Sequence, residues 1–113
     1  MYDIVILGSG PAGLTAALYG ARGGKKTIVL GGAELYGTLN KIPDLENYPG
    51  FLGTGVGLGE FMKKQAESFG AEIVFASAKT VISDQKPVTS FSVLADNGKE
   101  YKSKTVIIVC ICY

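Results

Sequence analysis

Residues 4–13 read IVILGSGPAG, and this stretch decides the fold. Four consecutive apolar residues without alternation are typical of a strand that is buried on both faces. The pattern G-x-G-x-x-G follows at once, formed by Gly8, Gly10 and Gly13. Apolar residues then recur at the i, i+3, i+4, i+7 spacing of an amphipathic helix, at Leu14, Ala17, Leu18 and Ala21. The stretch therefore predicts a strand, a tight turn and a helix.

Further strands and one more helix are predicted along the chain. Gly23 and Gly24 end the first helix, and residues 27–30, TIVL, form a second buried strand. A second helix is marked by Leu58, Phe61, Met62, Ala66 and Phe69, with Gly70 at its end. Later strands are predicted at residues 72–75, 79–83, 88–95 and 104–109. We therefore expect an α/β fold, with a Rossmann-like βαβ unit and its parallel sheet plus a small antiparallel β-meander.

Two connecting segments carry expectations of their own. Residues 31–57 are rich in Gly, Pro and Asn and lose the periodic pattern, which predicts a long loop of the kind that is usually functional. Asp96, Asn97 and Gly98 stand between predicted strands and indicate a hairpin turn, because Asn-Gly supplies the positive φ that a primed turn requires.

Length and charge limit the class of protein. A chain of 113 residues has room for one domain, residues 1–113. The net charge of +1 and the scattered Lys and Arg residues give no reason to expect nucleic acid or a membrane surface as a partner. The apolar runs are too short to span a bilayer and no basic secretion signal is present, so we expect a cytoplasmic protein.

Neither histidine nor cysteine points to a reactive or metal site. Histidine is absent, which removes the commonest metal ligand and the usual general base. Cys110 and Cys112 form C-x-C, whereas thioredoxin-type redox motifs use C-x-x-C and zinc sites need four ligands. We therefore expect no metal, no catalytic residue, and two incidental thiols at a strand end.

The glycine pattern has the context that dinucleotide binding requires, because it follows a buried strand and opens a helix. Gly8 permits the tight turn, Gly10 leaves the backbone open to a pyrophosphate, and Gly13 lets helix and strand pack closely. The helix N-terminus favours negative charge through its free N–H groups and its dipole. The alternative is a glycine-rich structural turn in another α/β fold. The pattern predicts an FAD- or NAD(P)-binding domain.

The end of the second strand does not decide between NAD and FAD. Both cofactors can be held there by an acidic residue on the ribose hydroxyls. That position is Gly31, followed by Gly32, and it has no carboxylate. Glu34 is close and is either a ribose contact or an exposed loop charge.

Several stretches resemble the low-molecular-weight thioredoxin reductases, class II of the pyridine nucleotide-disulfide oxidoreductases. Residues 2–13, YDIVILGSGPAG, and 16–22, AALYGAR, are similar to the opening of that family. Residues 45–51, LENYPGF, resemble its more specific E-N-aromatic-P-G signature, and residues 70–75, GAEIVF, also fit. The resemblance extends to about Val109 and covers the first of three segments of a full member.

The resemblance implies a set of FAD-binding residues. With the two glycines after the second strand, the candidates are Gly8, Ser9, Gly10, Pro11, Ala12, Gly13, Gly31, Gly32, Gly37, Thr38, Leu39, Asn47 and Val81. In the family the glycine turn carries the pyrophosphate, residues 37–39 match a G-Q-L stretch along the flavin, and the backbone of Val81 matches an adenine contact. Asn47 matches an asparagine that hydrogen-bonds the cofactor, and its amide can both donate and accept. Its alternative role is to stabilise the turn beside Pro49.

The chain departs from the family at three places. The family usually has Gln where this chain has Thr38, and Gly where it has Tyr36, which adds bulk near the expected cofactor. Its last strand normally ends in A-T-G-A, whereas residues 109–112 read VCIC, with β-branched Ile111 in the glycine position. The loss of pattern at the end suggests a truncated or frame-shifted product.

The functional expectation is the FAD-binding portion of a thioredoxin reductase-like flavoprotein disulfide oxidoreductase. The family's NADPH domain and C-x-x-C pair do not occur in these residues, so we expect no catalysis by the chain alone. The alternatives are a dinucleotide-binding module, alone or completed by a partner, and a remnant without function. The expected partners are FAD and a second copy or a completing chain, with a thioredoxin-like protein only for a full-length relative.

Overall fold

The computed structural model describes residues 1–32, 34–84 and 86–109. Its elements are β1 (Tyr2–Leu7), α1 (Pro11–Arg22), β2 (Thr27–Leu30), a 3-10 helix (Gly37–Lys41), β3 (Leu45–Tyr48), β4 (Phe51–Gly53), α2 (Gly55–Ser68), β5 (Glu72–Val74), β6 (Ala78–Ser83), β7 (Phe91–Ala95) and β8 (Glu100–Ile108). The predictions for Cys110, Ile111 and Cys112 lie outside the described residues. In the described part of the chain, no helix is long and apolar enough to cross a membrane.

A six-stranded mixed sheet forms the centre of the fold, in the order β5-β2-β1-β8-β7-β6. Strand β1 pairs in parallel with β2 on one side and with β8 on the other, and β2 pairs in parallel with β5. Strands β6, β7 and β8 are joined by antiparallel pairing. The predicted βαβ unit, parallel sheet and antiparallel meander are therefore confirmed, and β8 links the meander and the parallel strands into one sheet.

The unalternating apolar sequence of β1 is explained by burial on both sides of the sheet. Val5 and Ile6 point to opposite faces, and each is fully buried. The buried cluster between one face of the sheet and the two long helices contains Ile6, Ala17, Ala21, Val29, Ala66 and Ala71. The other face contains Val5, Leu7, Ile28, Leu30, Ala76, Val93, Ala95 and Tyr101. The central strand therefore has no side that could tolerate a polar residue without a partner.

The long loop predicted for residues 31–57 is wrong in part. The segment contains the 3-10 helix and a separate two-stranded sheet of β3 and β4, paired antiparallel. Leu39 and Leu45 of this segment are buried in a third cluster with Leu14 and Leu58. The strands here are only four and three residues long, so they show too little periodicity to be recognised in the sequence.

Helix α2 is confirmed, but two of the apolar residues that marked it in the sequence, Phe61 and Phe69, lie at the surface. Phe61 is 67% exposed and packs edge-to-face on Phe51 of the β3–β4 hairpin, with ring centroids 5.4 Å apart. Phe69 is half exposed, and the guanidinium of Arg22 lies 5.7 Å from its ring centroid. Helical spacing therefore identified the helix, whereas both aromatic rings lie at the surface in contact with neighbouring elements.

The hairpin turn predicted at residues 96–98 is confirmed between β7 and β8, but its primed type is wrong. Gly98 has positive φ, but Asn97 does not. The N–H of Gly98 donates to the carbonyl of Ala95, and the N–H of Ala95 donates to the carbonyl of Lys99. These bonds define a three-residue loop with glycine in the left-handed position, the next most common hairpin type. Strand β7 begins at Phe91 rather than residue 88, because the Thr89 N–H donates to the Asp84 carboxylate at 2.8 Å.

Tyr2 makes the stability of the fold sensitive to alkaline pH. The pKa of the Tyr2 phenol is raised from 10.0 to about 12, mainly by burial. A hydrogen bond with Glu72, the charge of Glu72 and the charge of Tyr101 raise it further. Stability that is present below pH 10 therefore falls as the pH rises toward about 12, since only the unfolded chain loses this proton readily. We expect Tyr2→Phe to show a shallower loss of stability over this range, measured by denaturant unfolding. Equal slopes for wild type, Tyr2→Phe and the exposed control Tyr19→Phe would contradict the assignment.

Candidate dinucleotide-binding site

The glycine turn between β1 and α1 is built from close backbone contacts. Gly8 has φ +126°, a conformation that side chains rarely adopt, and its N–H donates to the Leu30 carbonyl at 2.9 Å. A methyl group added at Gly13 would lie 1.8 Å from the carbonyl oxygen of Gly8. Two of the three pattern glycines are therefore required by the fold, with or without a ligand.

Gly10 differs from its neighbours because the fold does not need it. Its φ of −74° is open to any residue, and the nearest atom to an added methyl group is the Tyr36 carbonyl oxygen at 3.8 Å. Gly10 is the N-cap of α1, no side chain caps the helix, and no acidic residue lies in its first turn. The first intrahelical bond runs from Leu14 N–H to the Gly10 carbonyl, which leaves the N–H groups of Ala12 and Gly13 without an intrahelical acceptor. This arrangement fits an anion, and a side chain at position 10 would obstruct it.

The segment after β2 lies against the glycine turn. Ser9 is buried, and its Oγ donates to the Gly31 carbonyl and accepts from the Tyr36 N–H. A methyl group at Gly37 would lie 3.4 Å from the Cα of Gly10. The structure therefore brings three groups of candidate FAD-binding residues together, namely residues 8–13, Gly31 and Gly37.

The side chain of Tyr36 does not occupy the space beside Gly10, although its size led us to expect bulk near the cofactor. It adopts the left-handed conformation, with φ 60°, and its side chain is only 3% exposed. The ring packs edge-to-face on Phe75 and directly over Gly59 of α2, where an added methyl group would lie 2.3 Å from the Tyr36 Cγ. Burial, followed by the charges of nearby carboxylates, raises the pKa of the Tyr36 phenol. Nothing in the sequence pointed to Gly59 and Phe75 as supports of this loop.

The glycines after β2 leave no place for a ribose-binding carboxylate on that strand end. A methyl group at Gly31 would lie 2.7 Å from the ring of Phe75, and Gly32 has φ +77°. Glu34 forms an exposed ion pair with Lys41 at 3.7 Å, which agrees with its interpretation as a loop charge.

The remaining candidates lie on other elements. Leu39 is buried in the core, so its side chain is not free for a ligand, whereas Thr38 beside it is exposed. Asn47 is exposed on β3, at an open concave surface of the β3–β4 hairpin, and Val81 is 40% exposed on the edge strand β6. Among the described residues, no hydrogen bond joins Asn47 or Val81 to the glycine turn.

A parallel sheet whose first strand leads through a glycine turn into a helix defines the dinucleotide-binding class of fold. The family described as pyridine nucleotide-disulphide oxidoreductase matches residues 2–110. The chain belongs to that family.

Similar proteins within the family are thioredoxin reductases. The chain is 45% identical to that of Aquifex aeolicus, over 96% of this chain and 33% of the relative. It is 44% identical to that of Peptoclostridium acidaminophilum, over 96% of this chain and 34% of the relative. The thioredoxin reductase structure from Gloeobacter violaceus matches with a TM-score of 0.84 at 31% identity, over 95% of this chain and 33% of that one. That from Streptococcus pyogenes matches with 0.83 at 36% identity, over 96% and 34%.

The match covers only part of each relative. The chain spans about a third of the length of the curated relatives, and the matched third corresponds to the flavin-binding region of these proteins. The predicted resemblance and fold class are confirmed. The family implies a flavin as the class of cofactor.

Proposed function

We propose that this chain binds FAD through the glycine turn, as the FAD-binding portion of a thioredoxin reductase-like flavoprotein. The observation that carries the proposal is the open N-cap at Gly10, where the fold leaves space beside free helix N–H groups. A diphosphate would accept hydrogen bonds from those groups and gain from the helix dipole. The tight packing at Gly8 and Gly13 keeps this cap in place before any ligand arrives.

Residues beyond the turn complete the proposed site. Gly37 and Thr38 would lie along the flavin, with Leu39 contributing its backbone because its side chain is buried. Asn47 would hydrogen-bond the cofactor through its exposed amide, and the edge-strand backbone at Val81 would contact the adenine. The resemblance to the family supports these assignments. When bound, the flavin would supply the electron transfer, while the protein binds and orients it.

The activity of a whole reductase is a further step of the proposal. A protein that combines this portion with a hydride-donor site and a redox dithiol would pass electrons to a thioredoxin-like disulfide. These 113 residues contain one glycine turn of the dinucleotide type and no C-x-x-C pair. We therefore propose that the chain by itself binds cofactor without turning over a disulfide.

The proposal also covers the domain organisation of the chain, its location and its association with other chains. We propose that residues 1–113 act as one domain in the cytoplasm, and that the chain associates with a second copy or with a completing polypeptide. Exposed apolar side chains support association, among them Leu52, Phe61 and Ile108, which are 78%, 67% and 66% exposed.

Gly10→Ala tests the proposal directly. The methyl group has room in the free protein, so stability should change little, but it would occupy the place of the diphosphate. We expect FAD affinity to fall by about tenfold or more, measured by fluorescence titration of the purified chain. The visible absorbance of the protein as purified gives a second readout of retained flavin.

Thr15→Ala is the matched control, because Thr15 lies on the exposed side of the same helix and its hydroxyl bonds only within it. The control should bind FAD like the wild type. A wild-type chain that does not bind FAD would refute the proposed function. So would a Gly10→Ala variant of unchanged affinity.

A further inference from the structure

One hydroxyl group under the glycine turn joins three segments of the chain. Ser9 is 2% exposed, and its Oγ donates to the Gly31 carbonyl at 3.0 Å and accepts from the Tyr36 N–H at 3.2 Å. These partners are 22 and 27 residues away in sequence. The single proton of Ser9 is used on Gly31, so the hydroxyl has none to donate to a phosphate.

The two bonds hold the backbone of Tyr36 and Gly37 beside the open N-cap at Gly10, where it forms one wall of the proposed crevice. The carbonyl of Tyr36 lies 3.8 Å from the place of a methyl group on Gly10, and the methyl position of Gly37 is 3.4 Å from the Gly10 Cα. The side chain of Tyr36 faces the other way, into the cluster around Leu14 and Leu58. The hydrogen bond from the Tyr36 N–H to Ser9 therefore connects this wall to the glycine turn, and the Tyr36 ring anchors it in the core.

We propose that Ser9 is a positioning residue of the dinucleotide site: its hydroxyl holds residues 36–39 where they complete the crevice next to Gly10. The inference rests on the proposed function, since it assigns Ser9 a role in that same site. The Ser9 hydroxyl acts through the loop rather than on the ligand itself. Its loss would free the Tyr36 N–H and loosen one wall of the crevice while leaving the helix N-terminus intact.

A purely structural hydroxyl would lower stability without a specific effect on binding, and the chain offers a matched control for this. Thr27 is 1% exposed, and its Oγ1 donates to the Lys25 carbonyl at 2.9 Å at the opposite end of β2. Ser9→Ala and Thr27→Val each remove one buried hydroxyl near the same strand. Only the first of these hydroxyls contacts the wall beside Gly10.

The test compares FAD titrations of the wild type and both variants. We expect the dissociation constant of Ser9→Ala to rise about tenfold and that of Thr27→Val to stay within about twofold of the wild type. The inference is overturned if Ser9→Ala also stays within about twofold, or if Thr27→Val weakens binding as much. A wild type that does not bind FAD is a separate result, because it refutes the proposed function first.

Hydrogen exchange of the wild type keeps the inference testable if Ser9→Ala does not fold. On addition of FAD, the amides of residues 34–41 should gain protection together with those of residues 8–14, since the loop forms part of the site. Protection confined to residues 8–14 would show that the loop is not a wall of the crevice, and the role of Ser9 would be rejected.

Discussion

Gly13→Ala is expected to destabilise the protein by about 3 kcal/mol, the upper end of the usual cost of overpacking. The added methyl group would lie 1.8 Å from the Gly8 carbonyl oxygen and 2.9 Å from the carbonyl carbon. Both atoms belong to the backbone of a turn fixed by a β1–β2 hydrogen bond, so they cannot move aside as a side chain would. Urea unfolding followed by circular dichroism would measure the loss.

The comparison with Gly10→Ala makes this result diagnostic. The two glycines belong to one turn, but an added methyl group would lie 1.8 Å from the nearest backbone atom at Gly13 and 3.8 Å from it at Gly10. We therefore expect Gly13→Ala to lose stability and Gly10→Ala to lose FAD binding with its stability nearly unchanged. Equal stability of the two variants would contradict the close packing of helix and strand.

Tyr36→Ala is expected to cost about 3 kcal/mol, because it removes a buried aromatic ring and leaves a cavity. The ring is 3% exposed and lies between Phe75 and Gly59. Tyr36→Gly should be less destabilising by about 1 kcal/mol, since glycine adopts the φ of 60° without strain. At most buried sites the alanine variant is the more stable of the two, so the reverse order would be diagnostic of the left-handed conformation. Thermal or urea unfolding of the two variants would reveal it.

A double-mutant cycle tests the contact between Tyr36 and Gly59. In the wild-type background, Gly59→Ala would place a methyl group 2.3 Å from the Tyr36 ring and should destabilise the protein. In the Tyr36→Gly background the same substitution should be neutral or stabilising by about 0.5 kcal/mol, because alanine is the better helix residue. Additive effects in the cycle would show that the two positions do not touch.

The local elements of the dinucleotide unit were predictable from the sequence. Strand β1, helix α1 and strand β2 were recognised with nearly correct bounds, because burial on both faces and helical spacing leave patterns in consecutive residues. The glycine pattern likewise located the open helix N-terminus. These features depend on residues within one strand–turn–helix–strand unit.

The elements that failed depend on contacts between distant residues. The β3–β4 hairpin is too short to show periodicity, and the contact of Phe61 with Phe51 joins helix α2 to that hairpin at the surface. The turn at residues 96–98 was located correctly, but its primed type was wrong because the bond from Ala95 N–H to the Lys99 carbonyl closes a three-residue loop. The assignments of Asn47 and Val81 stay predictions, supported by resemblance.

The residues of the glycine turn determined the class of fold and the place of the candidate site, since the conformational needs of Gly8 and Gly13 are local. The tertiary structure supplied the contacts behind the different roles predicted for these glycines: the fold leaves Gly10 free and requires its two neighbours. It also placed Tyr36 against Gly59 and connected Ser9 to the loop after β2. The reason is physical: packing and hydrogen bonding between segments more than twenty residues apart depend on how the sheet brings them together, and no periodicity in the sequence records it.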